Sequence, residues 1–267
     1  MKSNFHTHTK RCLHAFGSDE EYVLAAIDAG LSQLGFSDHA PFSDRDLGMR
    51  MAYSELDEYL AAIDKLKIKY GDRIRLFKGL EIEFFPEYSD YYRMLLEEKK
   101  LDYLALGEHF YHSKNGDISN IYFAGSTEDY IEYAENICKG METGFFRFAA
   151  HPDLMFLNDF APDTNTEKAC DMIIKCAAET HTILEYNANG KRRARRMYPD
   201  GLRFPYPHTQ FWEKVRKTDI PVIVGADAHT PEHIFDWVME DAVKTVKEMG
   251  LHLTDSIFEN TSKESTT

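Results

Sequence analysis

Histidine and carboxylate side chains recur along the chain at points where a short apolar run ends. The first pair is His6 and His8, two residues apart in Phe5-His6-Thr7-His8-Thr9. Side chains at i and i+2 of a strand point to the same face, so both imidazoles can reach one metal ion. Most of the others share this context. They are His14, His39, Glu81, His109, His151, Asp227 and His229.

This set of side chains predicts a cluster of metal ions rather than a single one. Imidazole together with carboxylate suits Zn²⁺, Fe²⁺ or Mn²⁺. A catalytic zinc ion uses three protein ligands and keeps one position open, so the set predicts two or three divalent ions. Glu81 is expected to bridge two of them through its two oxygens. The remaining histidines are interpreted as ordinary surface or core residues: His112, His181, His208, His233 and His252.

Metal clusters of this kind catalyse hydrolysis. The ions lower the pKa of a shared water, polarise the electrophile and neutralise the attacking and leaving oxygens. We therefore expect a metal-held hydroxide to attack, with Glu81, Asp227 and His229 at the catalytic centre and with no covalent intermediate.

The elements that must position these side chains alternate between strand and helix. Ser18 and Glu21 have capping-box spacing, which predicts a helix over Glu20–Ala29. Sustained alternation predicts parallel strands covered by helices, and about seven units favour a (β/α) barrel over an open doubly wound sheet. Barrel chemistry lies at the carboxyl ends of the strands. The predicted strands are Asn4–His8, Gln33–Ser37, Arg75–Glu81, Tyr103–Gly107, Phe148–His151, Thr182–Tyr186 and Val222–Gly225.

Length and charge narrow the possible classes of function. The 267 residues predict one domain over residues 1–258 and a polar, disordered tail over residues 259–267. With 31 basic and 45 acidic side chains the net charge is −14, which argues against nucleic-acid binding. Four cysteines without paired spacing, no signal peptide and no long apolar run predict a cytoplasmic protein without a membrane partner. The oligomeric state stays open.

The order of the motifs resembles that of the polymerase-and-histidinol-phosphatase (PHP) family, and more narrowly its monofunctional histidinol-phosphatases. The resemblance covers the chain short of its tail. It implies a distorted (β/α)₇ TIM-like barrel with three metal ions that hydrolyses L-histidinol phosphate to L-histidinol and phosphate, in histidine biosynthesis. The motifs are His6-Thr7-His8, Cys12-Leu13-His14, Ser37-Asp38-His39, Gly79-Leu80-Glu81, Gly107-Glu108-His109, Ala150-His151-Pro152-Asp153, Leu184-Glu185-Tyr186-Asn187 and Asp227-Ala228-His229.

Carried over by position, the resemblance divides the ligands into three groups. His6, His8, Glu81 and Asp227 would hold one ion; Glu81, His109 and His151 a second; His14, His39 and His229 a third. The chain departs from the family pattern in three places. Glu108 stands where relatives commonly have a small residue, and the loop after His151 lacks the expected basic residues. Cys12 beside the cluster is either an extra soft ligand or a small buried thiol.

The substrate's phosphate needs cationic partners besides the metals. The only strongly basic run is Asn187-Ala188-Asn189-Gly190-Lys191-Arg192-Arg193-Ala194-Arg195-Arg196, and arginine's planar fork suits phosphate oxygens. By resemblance Arg192 aligns with an arginine near the substrate, so we favour it over Arg193, Arg195 and Arg196. Asn187 and Glu108 are also predicted to contact the substrate, with Tyr111 or Tyr122 as further partners of histidinol.

Two other classes of function remain open from the sequence. One is a PHP-type phosphodiesterase, or a phosphatase of another small phosphate ester. The other is a metal-binding protein without catalysis, against which the complete ligand set argues.

Overall fold

A computed structural model describes residues 2–258, and the predicted tail at 259–267 lies outside the described residues. The strands are β1 (Ser3–Asn4), β2 (Gln33–His39), β3 (Arg75–Ile82), β4 (Tyr103–Leu106), β5 (Phe110–His112), β6 (Ile118–Asn120), β7 (Phe148–Ala149), β8 (Ile183–Asn187), β9 (Arg196–Tyr198), β10 (Gly201–Arg203), β11 (Pro221–Gly225) and β12 (His252–Leu253). The helices are α1 (Asp19–Asp28), α2 (Leu56–Tyr70), α3 (Ser89–Glu97), α4 (Glu128–Glu142), α5 (Thr164–Thr180), α6 (Asn189–Arg192), α7 (Thr209–Val215) and α8 (Trp237–Glu248).

Eight of the strands form one parallel sheet in the order β1-β2-β3-β4-β7-β8-β11-β12. The sheet closes at the carboxyl ends of its strands, where Thr7 pairs with Ala228. Ala228 accepts a hydrogen bond of 2.9 Å from His8 N and donates one of 3.2 Å to His6 O. The predicted single-domain α/β barrel is confirmed, and this closure brings residues from both ends of the chain to one rim.

Local sequence signals explain where the helices begin and which faces they bury. Ser18 Oγ accepts from Glu21 N while Glu21 Oε2 accepts from Ser18 N, so the predicted capping box opens α1. In α2 the apolar positions at helical spacing all face the barrel, because a three-to-four-residue repeat forms one stripe. They are Leu56, Tyr59, Leu60, Ile63 and Leu66.

Short elements account for the differences from the sequence-based prediction. The first strand ends at Asn4, so His6 and His8 follow it rather than lie within it. Strand β12, helix α3 and the two-stranded antiparallel hairpins β5–β6 and β9–β10 were not predicted. Both hairpins follow barrel strands and lie beside the rim. Among residues 2–258, no helix is long and apolar enough to cross a membrane.

Candidate metal centre

All nine side chains predicted as ligands converge at the rim. Around the first pair, His6 Nε2 and His8 Nε2 lie 3.2 Å apart and reach Glu81 Oε2 at 3.4 and 3.5 Å. Asp227 Oδ1 is 3.0 Å from His8 Nε2 and 3.7 Å from His6 Nε2. This arrangement matches the first ligand group implied by the resemblance.

The second oxygen of Glu81 faces a different pair of imidazoles. Glu81 Oε1 lies 2.7 Å from His151 Nε2 and 3.6 Å from His109 Nε2. The carboxylate therefore stands between two groups of histidines, with one oxygen turned toward each. This placement is the geometry that a bridging carboxylate requires.

The third group is an outer cluster of neutral imidazoles. His14 Nδ1 lies 2.7 Å from Cys12 O, and His229 Nδ1 lies 2.9 Å from Asp227 O. A carbonyl oxygen only accepts, so both Nδ1 atoms carry the hydrogen and both Nε2 atoms present lone pairs. These two Nε2 atoms lie 2.9 Å apart. His39 completes the group, with its ring centroid 5.4 Å from that of His14.

This donor geometry fits bound cations. Two facing lone pairs at 2.9 Å repel each other unless a positive charge lies between them. Glu81 Oε2 is buried and accepts no hydrogen bond from residues 2–258. A buried polar atom without a partner is costly, and a metal ion would satisfy it.

Buried carboxylates behind the cluster orient two of the histidines. Glu185 Oε1 is 2.7 Å from His6 Nδ1, and Glu83 Oε1 is 3.2 Å from His109 Nδ1. Such contacts fix the tautomer that turns Nε2 toward a metal. Asp38 Oδ1 lies 3.5 Å from His8 Nδ1, which has no hydrogen-bond partner among residues 2–258. These supporting roles were not predicted from the sequence. The spacing signals were present, since Glu83 follows Glu81 and Glu185 precedes Asn187 at i and i+2.

Two glycines leave the space that these carboxylates occupy. A Cβ at residue 107 would lie 2.3 Å from Glu81 Oε1, and one at residue 225 would lie 1.7 Å from Glu185 Oε1. Any larger residue at Gly107 or Gly225 would displace a carboxylate, because contacts this short do not occur between non-bonded atoms.

The protein's own charges divide the cluster into an inner and an outer part. Burial disfavours a charged His6, yet Glu185, Glu81 and Asp227 outweigh it and hold the His6 pKa well above its usual value. Burial and the charge of His8 instead lower the pKa of His229 to about 3. Burial likewise lowers the His14 pKa. The outer imidazoles are therefore neutral, the form in which histidine binds metal.

The two candidate arginines occupy different environments. Arg192 donates to Asp236 Oδ1 at 2.8 Å, to Ala226 O at 2.8 Å and to His233 O at 3.0 Å, which commits its guanidinium to the protein. Arg193 instead lines the cavity over the cluster. Most donors of Arg192 are already used within the protein, whereas Arg193 lines the cavity, so Arg193 becomes the favoured candidate for the phosphate ligand.

Two other predicted substrate contacts also have structural partners. Glu108 is 1% exposed, and its Oε2 accepts from Phe84 N at 3.0 Å, so it lies outside the cavity. Alternation explains this, since His109 faces inward and its predecessor faces the helices. Asn187 is fully buried and donates to Glu185 Oε2 at 2.9 Å and to Asp227 Oδ2 at 3.3 Å. Both side chains thus make contacts within the protein that support the site.

A cavity of about 200 Å³ lies directly over the cluster. Besides predicted ligands, its wall contains Tyr122, Asn189, Arg193 and His233. Asn189 Nδ2 donates to Asp227 Oδ2 at 3.1 Å. His233 was interpreted from sequence as an ordinary histidine, yet it lies on this wall. Cys12 is buried, with its Sγ close to nitrogens of His8 and His229.

Comparison with known proteins identifies the family. A sequence model of the PHP domain matches residues 4–189. The chain belongs to the PHP family. The matched PHP region contains seven of the nine predicted ligands, and Asp227 and His229 lie beyond it.

Two relatives of this chain are named as histidinol-phosphatases or probable histidinol-phosphatases. The chain is 29% identical over 254 residues to a probable histidinol-phosphatase of Deinococcus radiodurans, covering 92% of each chain. It is 24% identical over 259 residues to the histidinol-phosphatase of Bacillus subtilis, covering 86% of this chain and 94% of that one.

A solved structure agrees in fold. The histidinol phosphate phosphatase of Lactococcus lactis, complexed with zinc, L-histidinol and phosphate, matches with a TM-score of 0.69 and 18% identity. The match covers 94% of this chain and 95% of that chain. It supports the TIM-like barrel described above.

Proposed function

We propose that this PHP-family chain is a metal-dependent phosphomonoesterase that hydrolyses L-histidinol phosphate to L-histidinol and phosphate, in histidine biosynthesis. The observation that carries the proposal is the convergence of nine imidazole and carboxylate groups beneath one cavity, with Glu81 facing two groups of histidines. The full-length similarity to histidinol-phosphatases supports this choice of substrate.

The ligand assignment is part of the proposal. His6, His8, Glu81 and Asp227 would hold one ion, Glu81, His109 and His151 a second, and His14, His39 and His229 a third. When bound, divalent ions supply an ionised water at neutral pH and positive charge around the phosphoryl oxygens. The choice among zinc, iron and manganese stays open, because imidazole and carboxylate suit all three.

The chain's own residues position the phosphate. Arg193 reaches the cavity from the end of α6, where a guanidinium can form charge-assisted hydrogen bonds with phosphate oxygens. Its guanidinium carbon stands 5.7 Å from the Tyr122 ring and 5.6 Å from the Tyr206 ring. These two aromatic rings hold the charge beside the cavity.

The polar wall behind Asp227 keeps that carboxylate in one orientation. Asn187 and Asn189 both donate to Asp227 Oδ2. The other oxygen, Oδ1, is left facing His8 and the cluster. Holding groups in a productive geometry before the substrate arrives accounts for a large part of catalysis.

The proposal extends to cellular context. All four cysteines carry free thiols, which fits a reducing cytoplasm. The partner is a small phosphate ester, and the net charge of −14 argues against a nucleic-acid substrate.

Phosphate release by the metal-loaded protein tests the proposal. Histidinol phosphate and bis-p-nitrophenyl phosphate, offered separately, distinguish a monoesterase from a diesterase. We expect turnover of histidinol phosphate that is much faster than turnover of the diester. Faster turnover of the diester would assign a phosphodiesterase. Turnover of neither would contradict the proposal, in favour of a phosphatase of another small phosphate ester or a non-catalytic metal protein.

A further inference from the structure

A second cavity, of about 340 Å³, opens beside the metal-cluster cavity. The two cavities share His14, His39, His109, Tyr122 and Arg193. A substrate whose phosphate lies over the metal cluster can therefore extend its other end into the second cavity. The rest of its wall comes from two loops and a hairpin at the rim: Leu47, Gly48, Met49, Arg50, Phe110, Asn120 and Phe123. We call it the side cavity.

The charge of the side cavity suits the alcohol part of the proposed substrate. Histidinol carries a primary ammonium and an imidazole, so a cationic wall would repel it. Arg50 is neutralised there, since Nη1 and Nη2 donate to the two oxygens of Glu83 at 3.0 and 3.1 Å. Arg193, the other cation of this wall, is the proposed phosphate ligand, so its charge is taken up by the phosphate. A third cavity near Tyr122 is lined by both Arg193 and Arg196 and so has a further cation. The leaving alcohol therefore belongs in the side cavity.

Asn120 supplies a hydrogen-bond donor in an otherwise apolar part of this wall. Its Oδ1 accepts from Tyr122 N at 2.9 Å, which fixes the orientation of the amide. Within residues 2–258 no acceptor lies in hydrogen-bond reach of its Nδ2. Asn120 pairs across the hairpin with Phe110, so its backbone is held by a regular strand pair. A rigid donor beside aromatic side chains is the arrangement that recognises a flat heterocycle.

Phe123 supplies the aromatic surface next to that donor. It is 83% exposed although it is large and apolar. It directly follows Tyr122, whose ring lies nearly parallel to that of His109 at 6.2 Å between centroids. An exposed aromatic side chain on the wall of a binding cavity stabilises a bound ligand when a ring of that ligand packs against it and removes both from water.

We propose that Asn120 and Phe123 determine specificity by binding the imidazole ring of the leaving alcohol. Neutral imidazole has one nitrogen that accepts a hydrogen bond, and Asn120 Nδ2 donates to it. The Phe123 ring packs against the imidazole face. No carboxylate lines the described part of the side cavity, so recognition falls on the ring rather than on the ammonium. This inference rests on the proposed phosphatase function.

A comparison of two phosphate esters tests ring recognition separately from the proposed phosphatase function. Histidinol phosphate carries the ring, whereas 2-aminopropyl phosphate has the same amino alcohol without it. For the unmodified protein we expect kcat/KM to be at least about tenfold higher for the ester with the ring, the effect of roughly one net hydrogen bond. Equal values would overturn the inference and leave the function standing. Turnover of neither ester would overturn both.

Two variants test whether Asn120 and Phe123 produce the preference for the ester that carries the ring. Asn120→Asp keeps an oxygen for Tyr122 N but removes the donor, and Phe123→Ala removes the ring surface. Each should lower the ratio of the two kcat/KM values by about three- to tenfold. The ratio cancels any general effect on phosphate binding or folding. Phe16→Ala is the control, because Phe16 is 70% exposed at the rim but does not line the side cavity. An unchanged ratio in both variants would contradict the assignment.

Discussion

His6 Nδ1 lies 2.7 Å from Glu185 Oε1, and both side chains are fully buried. The two residues are 179 positions apart, and the closed barrel brings them into contact. Glu185 Oε2 also accepts from His151 N at 3.1 Å. The Glu185 carboxylate therefore orients the imidazole of His6 and the backbone of His151.

This contact predicts the effect of Glu185→Gln. The amide would turn its NH₂ toward donors that now meet an oxygen, so His6 would lose its fixed orientation. We expect metal affinity to fall by about 10- to 100-fold, measured by competition with a chromogenic chelator. Glu213→Gln is the control, because Glu213 is a surface residue paired with Arg216. Unchanged affinity in Glu185→Gln would remove its orienting role.

Glu81→Gln tests the bridging carboxylate. An amide has one oxygen, so it cannot serve the His151 side and the His6 side together. We expect metal content and phosphatase activity to fall together, by more than the roughly 100-fold effect of a lost supporting contact. Elemental analysis of the purified variant gives the metal content, with Glu179→Gln on the surface of α5 as control. Full occupancy with normal turnover would refute bridging.

Arg193→Ala should weaken phosphate binding, whereas Arg192→Ala should lower the stability of the fold. Losing Arg193 removes charged hydrogen bonds to phosphate, so kcat/KM should fall about 30- to 150-fold and phosphate inhibition should weaken. Losing Arg192 leaves Asp236 and two carbonyls without their donor, so the free energy of unfolding should fall by roughly 1–3 kcal/mol. Urea unfolding and steady-state kinetics measure the two effects. The reverse pattern would return the phosphate role to Arg192.

The stereochemistry at phosphorus tests direct attack by water. The cluster accounts for hydrolysis without a protein nucleophile, because Asp227 and the histidines are used as ligands. We expect inversion of configuration when an isotopically labelled chiral thiophosphate ester is hydrolysed. Retention would require two displacements and a covalent phosphoenzyme.

The sequence predicted the barrel and its nine converging side chains because both follow from local pattern. Strand–helix alternation determines the topology, and a polar residue at a strand end lies on the rim whatever the rest of the fold does. His6, Glu81 and Asp227 were found in this way. Motif order and family resemblance added how they divide into groups.

The sequence could not predict which of several neighbouring groups a given side chain contacts. Arg192 and Arg193 are adjacent and chemically identical, and only the turn after α6 decides which meets Asp236 and which meets the cavity. The same holds for Glu108 and His109, because the side chains of consecutive residues in an extended segment point to opposite sides. Short elements such as β12, with two residues, are also too brief to leave a periodic signal.

Reconstitution of the metal-free protein is the most direct test of the central claim. The protein is stripped with a chelator, returned to zinc, manganese or iron(II) under anaerobic conditions, and assayed for phosphate release from histidinol phosphate. The account predicts negligible activity without metal, recovery with added ion, and maximal activity only once at least two ions are bound per chain. Undiminished hydrolysis by the fully stripped protein, or no hydrolysis by the fully loaded one, would contradict it.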